Sequence, residues 1–308
     1  MTSNLAGETP EPAGPGSPTA PVRASEDPVA PVRPAADPAS RDDRAKSFEL
    51  GAQVYAQVRP EYPPEAVAWL LPADAGPTTH VLDLAAGTGK LTRSLLERGL
   101  QVTAVEPSPA MRAELERTLP RATAVAGTAE SIPLPDASVD AVVVGQAWHW
   151  FSPDPAAAEI ARVLRPGGRL GVVWNVRDNT TDWVREFTEI IHRGDTLAPS
   201  YQPPDLGTSE AAPGSLAATG ARFGPLEHTT FRWHATMTPA DLRALAASRS
   251  YLLTLDEASR EELLDAVDHL TSTHPDLRGR DVIELPYDAQ CWRADRLPAS
   301  HTPGDNHG

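Results

Sequence analysis

Residues 81–90 read VLDLAAGTGK, and this stretch decides the fold. Val81 to Leu84 make an apolar run with one acid, Asp83, inside it, which predicts a buried strand. The run stops in a turn whose glycines, Gly87 and Gly89, let backbone approach a ligand closely. Three kinds of site place such a turn after a first strand. A phosphate-cradling loop needs G-x-x-x-x-G-K-[ST], but Leu84 stands five before Gly89 and Leu91 follows Lys90, so the first glycine and the metal-binding hydroxyl are both missing. A dinucleotide turn needs G-x-G-x-x-G, and its third position is Thr92. That difference weakens a nicotinamide-dependent reductase without excluding it.

The third kind fits the surroundings. Glu106 ends the next strand, in VTAVEPS, 23 residues after Asp83 and one strand–helix–strand unit away. A carboxylate there accepts hydrogen bonds from both ribose hydroxyls of an adenosine. Asp83 repels a diphosphate and attracts a cationic amino-acid group. An adenosine joined to a group bearing an ammonium answers both demands, and S-adenosylmethionine is such a molecule.

Working outward, residues 78–174 alternate strand and helix. Strands are expected at 79–84, 101–106, 122–126, 139–145 and 169–174, with helices at 89–98, 109–119 and 153–164. Ser108-Pro109 and Ser152-Pro153 each put an N-cap serine before a proline at the first helical position. RPGG at 165–168 is expected to end a helix and turn into the next strand. This alternation predicts a parallel sheet with ligands outside the carboxyl ends of its strands. Two later strands, near 222–234 and 281–294, are expected to pair as an antiparallel edge. Helices are expected to start at Thr238 and near Thr254, the latter reaching about Leu270 with Leu263, Leu264, Val267 and Leu270 on its core face. The fold class is therefore α/β: a doubly wound, mostly parallel, seven-stranded Rossmann-like sheet with a C-terminal antiparallel pair and a helical cap.

Residues 1–40 hold nine prolines and no aromatic residue, so they are expected to be a disordered extension. The domain is expected over 41–295: a helical N-terminal cap at 41–77, the ligand-binding core at 78–174, an insertion at 175–221, and closing strands and helices at 222–295. A disordered tail is expected at 296–308. The chain has 308 residues, 40% of them hydrophobic, enough for a sizeable core. Its net charge of −15 argues against a general nucleic-acid binder, which needs a basic face. With one cysteine, Cys291, no internal disulfide forms, and the histidines lack metal-site spacing, so no metal is expected. No signal peptide or membrane span is read, so a cytoplasmic protein without membrane partners is expected. The oligomeric state is left open.

The run from VLDLAAGTGK through AVEPSPAM, GTAESIPLPD and GQAWHWF to RVLRPGGRL closely resembles class I S-adenosylmethionine-dependent methyltransferases, most of all those acting on small molecules. The match is close over 78–174 and looser at FELGAQVYAQVRPEYP, FRWH and VIELPYDAQCW. The resemblance implies S-adenosyl-L-methionine as cofactor, with Asp83 near the methionine ammonium and Ala85, Gly87 and Gly89 along the methionine and ribose. It implies Glu106 on the ribose hydroxyls, Pro107 and Met111 against the adenine, and Ala129 and Glu130 at the adenine edge. Gln146 and Ala147 would lie beside the sulfonium. Tyr55 and Arg59 match a leading segment that closes over the cofactor, where Arg59 is either a partner for its carboxylate or an ordinary surface arginine. Thr128 stands where such proteins usually carry an acid.

His149, in WHW, follows the fourth strand, where methyl transfer takes place in this fold. It is a candidate general base, and the alternative is an aromatic core edge. No N/D-P-P-Y/F motif and no cysteine follow that strand, which with the net acidity points to a small-molecule acceptor. A protein that binds the cofactor without catalysis is the alternative in function.

Overall fold

A computed structural model describes residues 59–195 and 223–298 of the chain. Its sheet has seven strands in the order β3-β2-β1-β4-β5-β7-β6. They are β1 (His80–Leu84), β2 (Gln101–Val105), β3 (Thr123–Val125), β4 (Val139–Gly145), β5 (Leu164–Arg177), β6 (Glu227–Met237) and β7 (Ile283–Asp295). The first five are parallel, and β7 runs antiparallel to both of its neighbours. Helix α1 (Pro64–Leu70) leads into β1; α2 (Lys90–Glu97) and α3 (Pro109–Thr118) connect β1, β2 and β3; α4 (Pro153–Val163) joins β4 to β5.

The period of two along each strand splits the apolar residues between two layers. Leu82, Leu84, Val142 and Val144 face α4, through Ala156, Ile160 and Val163. Val81, Ala141 and Val143 face α1 to α3, through Leu70, Leu95 and Leu115. Helices on both faces bury most of β1, β2 and β4, as their near-continuous apolar sequences require. A third apolar cluster forms the cap. There α5 (Asp182–His192), α6 (Pro239–Ala247), α7 (Ser250–Leu253) and α8 (Glu257–Thr273) pack Trp183, Phe187, Leu242, Leu263 and Val267 onto the far halves of β6 and β7.

Several expectations change in detail. Strand β5 begins at Leu164, and Arg165 to Gly168 bulge out between the pairs Val139–Leu164 and Ala141–Arg169. Gly167, at φ +79, takes the left-handed conformation this bulge needs. RPGG thus lies within a strand and does not precede one. Strand β5 also runs on to Arg177, because β7 pairs with it from Arg169 to Arg177. The expected insertion at 175–221 therefore begins as strand and helix, and 196–222 lie outside the described residues. Ser108 caps α3 by accepting from the Met111 amide, but Ser152 makes no side-chain cap. The helix expected from Thr254 starts after Asp256, whose side chain accepts from the Ser259 amide, and continues to Thr273. Arg296 belongs to the domain rather than to a tail: its amide donates to the Gly168 carbonyl, and its carbonyl accepts from the Gly167 amide. The extension at 1–40 and residues 41–58 lie outside the described residues, as does the segment after 298. Among the described residues no helix is long and apolar enough to cross a membrane.

Candidate active site

Strand order reverses between β1 and β4: the chain leaves β1 toward β2 on one side and returns to β4 on the other. A crevice opens at such a point, beyond the carboxyl ends of the strands. Here it is a cavity of about 930 Å³, toward the upper end of the ~300–1,000 Å³ typical of small-molecule sites.

At one end of the cavity the acids are held by local turns. Asp83, 1% exposed, points to the α2 side of the sheet and accepts a 2.5 Å hydrogen bond from the Thr92 hydroxyl. Burial pushes its carboxyl up to about 7, Thr92 opposes that rise, and nearby Glu106 adds to it. Thr92 is the residue that stands in place of the third glycine, and it is fully buried. The hydroxyl that spoils the dinucleotide turn is the partner of the acid.

Glu106 is 5% exposed, and its two oxygens accept the Gly87 and Ser108 amides at 2.8 Å each. Burial raises its pKa, and these two amides pull it back. The carboxylate is thereby fixed across the turn that the VLDLAAGTGK stretch makes. Both oxygens keep a second lone pair for a ligand.

The turn itself is conformationally costly. Ala85 and Gln146, at the ends of β1 and β4, both have left-handed backbone (φ 59 and 57). Residues with a Cβ pay about 1–3 kcal/mol for such a conformation, and they cluster at ligand sites. Gly89, at φ +90, starts α2 and does not line the cavity. A Cβ on it would lie 2.6 Å from Leu119.

Arg59, Asp83, Ala85, Gly87, Glu106, Pro107, Met111, Ala129, Glu130, Gln146, Ala147 and His149 all line the cavity. Tyr55 lies outside the described residues. Glu130 accepts the Ser152 amide at 2.8 Å, so part of its bonding capacity goes to the loop before α4. The Gln146 amide nitrogen donates to the Asn175 carbonyl, while its Oε1 and the Thr88 hydroxyl have no hydrogen-bond partner among the described residues. Asn175 ties three segments together: its Nδ2 donates to the Glu61 carbonyl, and its Oδ1 accepts from the Trp233 indole. His149 sits on a turn of 3-10 helix, with its ring 4.5 Å from Trp150 and 5.0 Å from Trp174.

The other end of the cavity is basic. Arg59, Arg177 and Arg249 line it together with His192, Asp195 and Tyr287. Arg59 donates to the Ser248 carbonyl, Arg177 to the Thr188 hydroxyl, and Arg249 lies 2.7 Å from Nε2 of His192. Sequence reading missed Arg177, Arg249 and Tyr287, because they come from the end of β5, the start of α7 and the middle of β7, and no local motif marks them. It used Thr92 only as a departure from a motif, although a hydroxyl one helical turn past the loop is within reach of Asp83.

Outside the cavity, Asp182, Glu186 and His274 bring one atom each within 4.8 Å of one another. Nδ1 of His274 accepts the Asp276 amide, so Nε2, which faces the two acids, carries the proton. Nε2 lies 3.8 Å from Asp182 and 3.9 Å from Glu186, beyond hydrogen-bond distance.

The family model described as a methyltransferase domain matches residues 82–172. The chain is 47% identical over 256 residues to an uncharacterized methyltransferase of Mycobacterium tuberculosis, covering 83% of this chain and 98% of that one. It is 34% identical to an uncharacterized methyltransferase-like protein of Schizosaccharomyces pombe, over 82% and 97% of the two chains. A solved structure of a candidate type II methyltransferase from Anaeromyxobacter dehalogenans superposes with a TM-score of 0.53 at 25% identity, covering 78% of this chain and 99% of that one. The chain belongs to the class I S-adenosylmethionine-dependent methyltransferases.

Proposed function

We propose that the chain binds S-adenosyl-L-methionine at the acidic end of the cavity and methylates a small molecule held at the other end. The observation that carries this reading is Glu106, fixed by two backbone amides at the end of β2 with lone pairs left for a diol. The site fits the cofactor in other respects. Gly87 leaves room at the turn, with Met111 sulfur 3.8 Å from the position a Cβ would take. Thr88 and Gln146 each bring an unpaired oxygen. When bound, the cofactor supplies a methyl group activated by a sulfonium.

Glu106 would hold the ribose hydroxyls, with Pro107, Met111, Ala129 and Glu130 around the adenine. Asp83 would face the ammonium, whose charge stabilises the ionised carboxyl that burial disfavours. Arg59 would face the carboxylate. Gln146 and Ala147 would flank the reacting centre. His149 would take a proton from a hydroxyl or amine acceptor, and Trp150, Phe151 and Trp174 would exclude water from it. The small acceptor is supported by the size of the cavity and by the acidic charge of the chain.

Calorimetry with S-adenosylhomocysteine tests the cofactor, and a product screen with a labelled methyl donor tests turnover. Micromolar binding together with labelled small-molecule product is the expected outcome. No binding by a folded protein overturns the reading. Binding with no product from any small-molecule class favours a non-catalytic binder.

A further inference from the structure

Thr92 is the third residue of α2, in the helical turn that follows the glycines after β1. It is fully buried, and a polar side chain in that position needs a partner. The partner is an acid: the hydroxyl donates at 2.5 Å to Oδ2 of Asp83, nine residues earlier. That separation is at the short end of the range for O–H donors on a charged oxygen. The Thr92 amide, which has no intrahelical acceptor at this place in the helix, also favours the ionised form of Asp83. Both donors of one residue thus serve one carboxylate.

The other neighbours of Asp83 give it no such help. Beside it in the sheet stand Ala104 on β2 and Val143 on β4, whose side chains have nothing to donate. Burial is the main force against its ionisation, and the charge of Glu106 at the end of β2 adds to it. Arg112 on α3 acts on Glu106 and donates to the Glu106 carbonyl. Lys90 on α2 lines the same cavity; burial draws its pKa down, and the charges that act on it are those of Glu61 and Arg93.

We infer that Thr92 is a positioning residue for the methyl donor: its hydroxyl holds the Asp83 carboxylate, ionised and in place, for the donor's ammonium. This inference rests on the reading of the acidic end as the S-adenosyl-L-methionine site. An ionised carboxylate has about four acceptor positions, so Thr92 leaves capacity for the ammonium. Without the hydroxyl, a carboxyl that is 1% exposed keeps its proton to higher pH, and a neutral carboxyl has no charge with which to attract a cation. The competing role is structural, in which the pair only ties α2 to β1.

Two ligands separate these roles. S-adenosylhomocysteine carries the ammonium, whereas methylthioadenosine keeps the adenine, ribose and sulfur and lacks the amino-acid group. Calorimetry on the full chain measures both across the range from about pH 5.5 to 8.5, which brackets the titration of Asp83. Thr92→Val keeps the shape and removes the hydroxyl. Near neutral pH it should weaken S-adenosylhomocysteine ~10-fold or more and leave methylthioadenosine within ~2-fold of the wild type. Its affinity for S-adenosylhomocysteine should also tighten at a pH higher by ~1 or more. Thr92→Ser returns the hydroxyl and should restore the affinity and the pH profile together. Thr92→Ala replaces Thr92→Val if the valine variant does not fold. Equal weakening of both ligands, or a pH profile that does not move, makes Thr92 structural and overturns the inference. Wild-type affinity without the hydroxyl overturns it as well. A wild-type chain that binds neither ligand overturns the reading of the acidic end, and the inference falls with it.

Discussion

The two ends of the cavity are built in opposite ways. The acidic end is made from one continuous stretch: Asp83, Gly87, Thr92, Glu106 and Ser108 lie within two turns and one helix of each other, and their hydrogen bonds close on themselves. The basic end is assembled from β5, α7, β7 and the leading segment, and the Asn175 hub braces it by reaching Glu61, Gln146 and Trp233. A local end keeps its geometry when distant parts of the fold change. An end drawn from the cap instead depends on how the cap sits, and is free to take a different acceptor without disturbing the donor site.

His149 lines the same cavity, and its loss should have the largest effect. With a hydroxyl or amine acceptor, His149→Ala is expected to lower kcat by about 10²–10⁴-fold with little change in cofactor affinity. Full turnover by a folded variant between pH 6 and 9 removes the base and leaves positioning to carry the transfer.

Breaking the acidic end comes next. Glu106→Ala strips the Gly87 and Ser108 amides of their partner as well as removing the diol contact. S-adenosylhomocysteine affinity should fall roughly 10–150-fold, the worth of a charge-assisted bond of about 1.5–3 kcal/mol. Calorimetry checks it, and wild-type affinity would refute the assignment.

Asp83 sharpens the comparison through pH. Its carboxyl titrates near 7 in the fold and near 3.9 unfolded. Because the folded pKa is the raised one, the neutral acid favours the fold at low pH, and stability from this group is lost as pH rises from about 4 to 7. Asp83→Asn keeps an acceptor for Thr92 and escapes that loss. The variant should match the wild type near pH 4, gain on it up to about pH 7 and hold its lead above, by up to about 4 kcal/mol. Chemical denaturation across this range measures it. Cofactor affinity should move the other way: in the wild type it tightens as pH rises toward 7 and Asp83 ionises, and in Asp83→Asn that slope disappears.

The smallest effect concerns the turn. Ala85→Gly relieves a left-handed alanine at φ 59 and should stabilise by up to about 1 kcal/mol, with cofactor affinity kept. A fall in melting temperature would show that the methyl group packs usefully against the aliphatic layer it touches.

The sequence by itself determined the parallel core and the positions of Asp83 and Glu106, while the switch point between β1 and β4 came with the strand order. The core and the two acids follow from interactions a few residues or one strand–helix–strand unit apart, so residue order carries them. It also placed the antiparallel β6–β7 pair, though not its ends: Phe223 forms only an isolated bridge, and the strand proper begins at Glu227. Only the tertiary structure decided that β5 runs through a bulge and on to Arg177, because pairing with β7, more than a hundred residues later, holds it extended. Only the tertiary structure turned Thr92 from a motif defect into the partner of a buried acid. It alone brought Arg59, Arg177 and Arg249 to one cavity wall. Local propensity and spacing encode turns and helices, whereas the meeting of charges from remote segments depends on how sheet and cap pack, and no short window of sequence contains that information.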